Sequence, residues 1–274
     1  MKKYLIAVDL EGIHEIVGEP YESLHIGTEQ HAKAAKNAVK EINAAIAALY
    51  DSGAEFVAVW DNHGTGVNLD HSLVDERAIF VVNESREKGA YRRFEMADRF
   101  DFDAVVYLGY HSREGSLNGI LAHTYNSKNI QYYKLNGKQV GEFDFDASLA
   151  ASKGLYSIFY SSDDVAVAQA KDFLPEINTV VTKIGKGRNS AEFIPTETVL
   201  NDIYTTLKCA TRNTYSLKTF SYPLDFEVRF SRVEDAVARF EALKNLGKDV
   251  SFGEDAHVIR AVATSDDDLQ DLVF

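Results

Sequence analysis

Cysteine is nearly absent from this 274-residue chain and proline is scarce, with one cysteine, Cys209, and four prolines. One thiol cannot close an internal disulfide or build a thiolate metal cluster. Any metal must then be held by imidazole and carboxylate. Cys209 shares an apolar helical pattern with Ile203, Leu207 and Ala210, which predicts a packed core thiol rather than a catalytic one. So few prolines leave no Pro-rich linker, and no internal repeat or low-complexity tract is evident. Long apolar runs are missing too, so no segment reads as a membrane span. The apolar run Tyr4 to Val8 ends at Asp9, too short for a signal-peptide core, and the expected location is the cytoplasm. Cationic side chains are in deficit: 29 Lys and Arg stand against 42 Asp and Glu, a formal net charge of −13. Such a chain repels polyanions, so neither nucleic acid nor anionic membrane is an expected partner. Metal cations and substrates with a free amine remain compatible.

The apolar patterning is that of a soluble α/β protein. Tyr4 to Val8 reads as a buried strand. Ala35, Val39, Ile42, Ile46 and Leu49 then recur at helical spacing between an N-cap at Thr28 and a stop at Gly53. Phe56 to Trp60 is the next strand, which makes a parallel crossover unit. Further strands are expected at 78–82, 104–108, 156–160 and 179–183. Helices are expected at 91–100, 141–151 and 161–173, and a hairpin turns at Asn136-Gly137. From Pro195 the character shifts to a helix at 196–210, an alternating strand at 224–230, a capped helix begun by Ser231 and Glu234, and strands near Val250 and Ile259. The expected fold is α/β, a mostly parallel sheet flanked by helices (1–194), followed by a smaller C-terminal α+β lobe (195–274).

Ligands in open α/β sheets gather beyond the carboxyl ends of the strands. Here those ends carry Asp9-Leu10-Glu11-Gly12, Asp61-Asn62-His63-Gly64 and Gly109-Tyr110-His111. His123 and Glu142 follow downstream. Asp, Glu and His together suit Zn²⁺, Mn²⁺ or Fe. One zinc is saturated by three or four such groups, so five or more point to two metals sharing a carboxylate. Two metals can hold a hydroxide at neutral pH and polarise a carbonyl.

At these residues the chain resembles the M55 family of zinc D-aminopeptidases. The family's Ser-x-Asp-x-Glu-Gly is similar to Ala7-Val8-Asp9-Leu10-Glu11-Gly12, and its Asp-Ser-His to Asp61-Asn62-His63. Its Leu-Gly-Tyr-His matches Leu108-Gly109-Tyr110-His111, and its Ala-His-Thr matches Ala122-His123-Thr124. Its Val-Gly-Glu segment matches Val140-Gly141-Glu142, following Asn136-Gly137. The order is kept from Lys3 to Ser190, while the likeness beyond Pro195 is loose. The resemblance implies Zn²⁺, two per subunit, held by Asp9, Glu11, His63, His111 and Glu142, with Asp9 as the bridge. It implies a catalytic role for His123, with proton transfer, oxyanion stabilisation and nucleophile-like action all open. It also implies short peptides as substrates, D-residues at their N-termini, and homo-oligomeric rings such as a ring-based decamer. Ala7 stands where the family has serine.

The function expected is therefore a zinc-dependent metallo-aminopeptidase in which a metal-activated hydroxide is assisted by His123. The rivals are another binuclear-metal hydrolase (an amidohydrolase or phosphoesterase) and a non-catalytic oligomeric binding protein. Gly185-Lys186-Gly187-Arg188-Asn189-Ser190 lacks the spacing of a nucleotide phosphate loop. Its position in the family makes Lys183, Arg188 and Asn189 candidates for holding a peptide carboxylate. His14, His25, His31, His71 and His257 lack strand-end companions and read as packed or surface histidines. Trp60 reads as core, and Asp266-Asp267-Asp268 as a solvated terminal face.

Overall fold

Two sheets are formed by the described residues. The computed structural model describes residues 1–19, 24–82 and 92–274. The first sheet has the order β3-β2-β1-β4-β7-β8-β9. Its strands are β1 (Lys3–Val8), β2 (Phe56–Asp61), β3 (Ile79–Val81), β4 (Ala104–Leu108), β7 (Tyr156–Asp163), β8 (Asn178–Gly187) and β9 (Ser190–Phe193). All its pairings are parallel except β8 with β9. The second sheet is antiparallel, in the order β11-β12-β10-β5-β6. It is built from β5 (Ile130–Leu135), β6 (Lys138–Val140), β10 (Leu224–Phe230), β11 (Val250–Phe252) and β12 (Val258–Ala263).

Alternation along β1 explains the layering. Tyr4, Ile6 and Val8 enter one core, with α1 (Glu29–Asp51) and α4 (Thr196–Ala210). Leu5 and Ala7 enter the other, with α2 (Glu142–Ser152) and α3 (Asp164–Phe173). A strand buried on both faces must be apolar throughout, which is the run seen in the sequence. A third core lies under the second sheet, closed by Phe145 of α2, α5 (Val233–Asn245) and α6 (Asp266–Val273).

Several expectations hold. Thr28 caps α1 by accepting from His31 N, and Gly53 just beyond it has φ +91°. The β1-α1-β2 unit is parallel, and the hairpin turns at Asn136-Gly137. Others are corrected. Only a 3₁₀ turn at Glu95–Asp98 forms in the segment expected to be a helix over 91–100, whose first residue lies outside the described residues. Strand β7 runs on through Asp163, and that side chain then caps α3. Arg232 stands at the N-cap of α5 with no side-chain cap bond, so the box read at Ser231 and Glu234 does not form. The acidic run 266–268 opens α6 behind the cap Ser265. Cys209 is exposed, because the inward stripe of α4 is Val199, Ile203, Leu207 and Ala210, one position away. The change of character at Pro195 does not coincide with a change of layer. β5 and β6 precede it yet join the second sheet, while α4 follows it and packs with α1 in the first core.

The chain turns to opposite sides of β1 at β2 and β4, so a topological switch point lies beside β1. Val8 is in register with both Asp61 and Leu108. The loops after the three strands therefore start level with one another. Two glycines let them touch: Gly12 N donates to Gly109 O at 2.7 Å. A Cβ at Gly12 would sit 2.0 Å from Tyr110 O, and one at Gly109 would sit 2.2 Å from Asp9 O, where φ is also +70°. Replacing Gly109 with alanine is expected to destabilise the protein by about 1–3 kcal/mol or more. A urea midpoint equal to wild type would contradict this close approach.

Candidate metal centre

Asp9 begins the loop after β1 and offers its two oxygens to two histidines. Oδ1 lies 2.9 Å from His63 Nδ1, and Oδ2 lies 3.5 Å from His111 Nε2. His63 Nδ1 is also 3.1 Å from Glu11 Oε2. His111 Nε2 is 3.1 Å from Glu142 Oε1, which is 3.7 Å from His123 Nε2. The five residues expected as ligands and the expected catalytic histidine thus meet in one place. His123 is stacked on His111, with ring centroids 3.9 Å apart and planes 12° from parallel.

Second contacts fix the ring orientations. His63 turns Nε2 toward Leu24 O at 3.3 Å, leaving Nδ1 for the carboxylates. His111 turns Nδ1 toward Ser112 O at 3.0 Å, and His123 turns Nδ1 toward Leu121 O at 2.8 Å. Both thereby present Nε2 to the site. A backbone carbonyl on one ring nitrogen is the usual device for aiming the other at a metal or a proton.

The titration behaviour follows from crowding. Burial pushes Asp9 up and the adjacent Glu11 charge adds to it, to about 7. Burial also opposes the charge on Glu11, but His63 and His111 hold it well below the usual carboxylate range. Glu142 behaves alike: burial is overcome by His111, reaching about 2. Burial disfavours charge on His63, yet Glu11 and Asp9 hold its pKa well above the usual value. For His111, burial is likewise outweighed by Glu142, and it rises to about 10. His123 differs. Burial and the neighbouring His111 charge bring it down to about 4, so its Nε2 keeps a lone pair at neutral pH.

These groups fit a metal. Asp9, Glu11 and His111 form one trio whose ligand atoms lie within 4.8 Å of one another, and His111, His123 and Glu142 form another. His111 Nε2 is buried near two carboxylates without meeting either in hydrogen-bond geometry, a place where a cation shared with those carboxylates would fit. In that geometry protons on His63 and His111 hold the carboxylates together, and cations would take their place.

The strand β8 and its hairpin hold the loops around this centre. Lys183, fully buried, donates to Glu11 O at 2.6 Å and Ile13 O at 2.7 Å, and Thr182 Oγ1 donates to Gly12 O at 2.6 Å. Burial lowers Lys183 to about 8 against the charges of Asp163, Glu41 and Glu11. Arg188 Nη1 donates to Ala122 O, and Arg188 O accepts from Leu121 N at 2.9 Å. Asn189 Nδ2 reaches Val17 O at 2.8 Å and Glu19 O at 3.0 Å. Lys183, Arg188 and Asn189 are the candidates for holding a peptide carboxylate. The structure turns them onto backbone carbonyls, and none of the three lines the cavity over the centre.

That cavity holds about 560 Å³ and opens onto Asp9, Glu11, His63, His123 and Glu142. Its further walls include Asn62, Arg93, Tyr125, Ile130, Tyr133 and Phe274, which the sequence reading did not single out as functional. His25 also reaches the cavity, whereas His14 is buried against Glu41 at 2.8 Å and His31 is packed against Asn68 at 2.9 Å. His71 stacks on Phe80, and His257 pairs with Asp255. Asp61, first of the Asp-Asn-His run, accepts from Asn68 N and Leu69 N and so folds the turn that presents His63.

Fold and site together define an α/β protein with a buried carboxylate–imidazole centre at a sheet switch point. The chain belongs to the peptidase M55, D-aminopeptidase, family, whose model matches residues 1–250. A D-aminopeptidase of Bacillus subtilis (strain 168) is 26% identical over 185 residues, covering 67% of this chain, and the match spans 64% of that relative's length. Among solved structures, the Zn-dependent D-aminopeptidase DppA from Bacillus subtilis, described as a self-compartmentalizing protease, superimposes with a TM-score of 0.85. That likeness covers 99% of this chain and 95% of that one at 19% identity, and it shows the fold.

Metal binding should release protons. His63, His111 and Asp9 carry protons that ligation must displace, with values between about 7 and about 10 for Asp9 and His111. Raising pH through that window removes the competing protons, so apparent affinity for a divalent cation should climb. Calorimetry in buffers of different ionisation enthalpy checks the sign. Proton uptake on binding, or affinity that falls as pH rises, would contradict it.

Proposed function

We propose that this protein is a zinc-dependent aminopeptidase that hydrolyses short peptides, with D-residues accepted at the N-terminus. The observation that carries the reading is the meeting of Asp9, Glu11, His63, His111, Glu142 and His123 in one buried cluster. Family membership supports the peptidase class. The names of the Bacillus relatives support zinc and the D-configuration.

Asp9, Glu11 and His63 would hold one zinc, and Asp9, His111 and Glu142 the other. Bound metals supply a nucleophilic water at neutral pH and polarise the scissile carbonyl. The protein's own part is positioning and proton transfer. The cavity, within the roughly 300–1,000 Å³ range of small-ligand sites, has room for a short peptide. Ile130, Tyr133 and Phe274 provide apolar wall for side chains, and Asn62 a polar one. His123, neutral and held at Nδ1 by Leu121 O, takes a proton at Nε2 and returns it to the leaving amine. A self-compartmentalizing relative supports a homo-oligomer, and the ring-based decamer is the form proposed here. No helix of the described residues is long and apolar enough to cross a membrane, and the cytoplasm is the proposed setting.

A panel of D- and L-aminoacyl amides, short peptides and phosphoesters tests the activity. Hydrolysis of the amides and peptides is expected, and turnover of phosphoesters alone would defeat the reading. His123→Ala should lower kcat by about 10²–10⁴-fold with zinc content retained. Loss of zinc along with activity would make His123 a ligand instead. Asp9→Asn should deplete zinc from the purified protein, as measured by elemental analysis.

A further inference from the structure

Three segments that carry proposed ligands are joined by a ring of four side chains that are not ligands. Arg93 is 5% exposed, and its Nε and Nη2 form a two-pronged ion pair with Asp146, which is fully buried. Nη2 also donates to Asn62 Oδ1 at 2.9 Å. Asn62 Nδ2 in turn donates to Tyr110 Oη at 2.8 Å, and Tyr110 Oη donates to Asp146 Oδ2 at 2.7 Å. The four side chains close a ring of hydrogen bonds.

Each partner of Arg93 in that ring stands beside a proposed ligand. Asn62 precedes His63 and Tyr110 precedes His111. Asp146 lies one helical turn after Glu142, on the same face of α2. The guanidinium thus ties the turn after β2 to helix α2, and Tyr110 of the turn after β4 closes the ring between Asn62 and Asp146. A planar fork with several fixed donors suits this role and a lysine does not, because one ammonium cannot meet both carboxylate oxygens and Asn62 in plane.

We infer that Arg93 is a positioning residue of the metal centre. Through Asn62, Tyr110 and Asp146 it sets the mutual placement of His63, His111 and Glu142, and hence metal affinity and coordination geometry. The inference rests on the reading of those three residues as ligands.

A bland alternative is an ion pair that only stabilises the core, and the two roles part under double replacement. A buried ion pair exchanged for apolar side chains of similar volume is often neutral or stabilising, whereas removal of one partner strands a buried charge. Arg93 already lies among the rings of Trp60, Tyr125 and Phe274, so an apolar substitute has suitable neighbours.

The test uses the full chain carrying Arg93→Met together with Asp146→Leu. Urea midpoint, Co²⁺ affinity by chelator competition and the visible absorption of the Co²⁺ form are measured. The expected result is a midpoint near wild type, Co²⁺ affinity lower by roughly 10–100-fold, and a changed absorption band. Arg93→Lys, which keeps the charge and loses the fork, should also weaken Co²⁺ binding. A double variant that folds and binds Co²⁺ with wild-type affinity and spectrum overturns the inference. Should the double variant fail to fold, Tyr110→Phe decides. It removes only the hydroxyl link and should weaken Co²⁺ binding, and wild-type affinity and spectrum there would overturn the inference equally. Wild-type protein that binds no Co²⁺ would instead sink the metal reading itself, so the two failures are distinguishable.

Discussion

Three carboxylates, Asp9, Glu11 and Glu142, are buried side by side, and most of the architecture answers to that constraint. Desolvated like charges repel strongly, and an isolated buried carboxylate gives up its charge unless something compensates. His63 and His111 supply the compensation here, and their raised basicity is the counterpart of the depressed pKa values of Glu11 and Glu142. Such a centre stores protons in exchangeable form. The proposed cations would take the place of those protons.

Keeping the carboxylates together requires a rigid frame, and the frame comes from the sheet. β1 lies between β2 and β4 with Val8 level with both neighbours, so three loops leave the sheet at one height. Gly12 and Gly109 then let two of those loops pack backbone to backbone. Lys183 and Thr182 grip the Asp9 loop from the far side, and the Arg188 backbone and side chain grip the loop that ends in His123. Lys183 and Arg188 therefore act on this region by holding backbone carbonyls in place.

Local signals in the sequence marked the elements with long or strict periodicity. The helix capped by Thr28, the doubly buried β1 and the hairpin at Asn136-Gly137 follow from patterns a few residues long. Short or context-held elements were not marked. Hairpin strand β9 has an exposed, mixed composition, and α6 begins with three aspartates whose solvated face gives no sign of a helix until Ser265 is seen to cap it. Cys209 shows how one residue of helical phase, about 100°, separates a core position from an exposed one. Among the site residues, Asp146 had a visible signal four positions after Glu142. Arg93 had none, because its role depends on partners 31 and 53 positions away.

Residue type and order determined the chemistry on offer: a carboxylate–imidazole donor set, no thiolate, and a family pattern running from Asp9 to Glu142. Those are properties of short segments, and the chain states them directly. The tertiary structure decided which nitrogen each histidine presents, that burial and His111 lower the basicity of His123, and that Arg188 and Asn189 meet backbone carbonyls. Each of these depends on a carbonyl, a charge or a cavity wall contributed by a distant segment. No spacing along the chain records how two such segments approach in space.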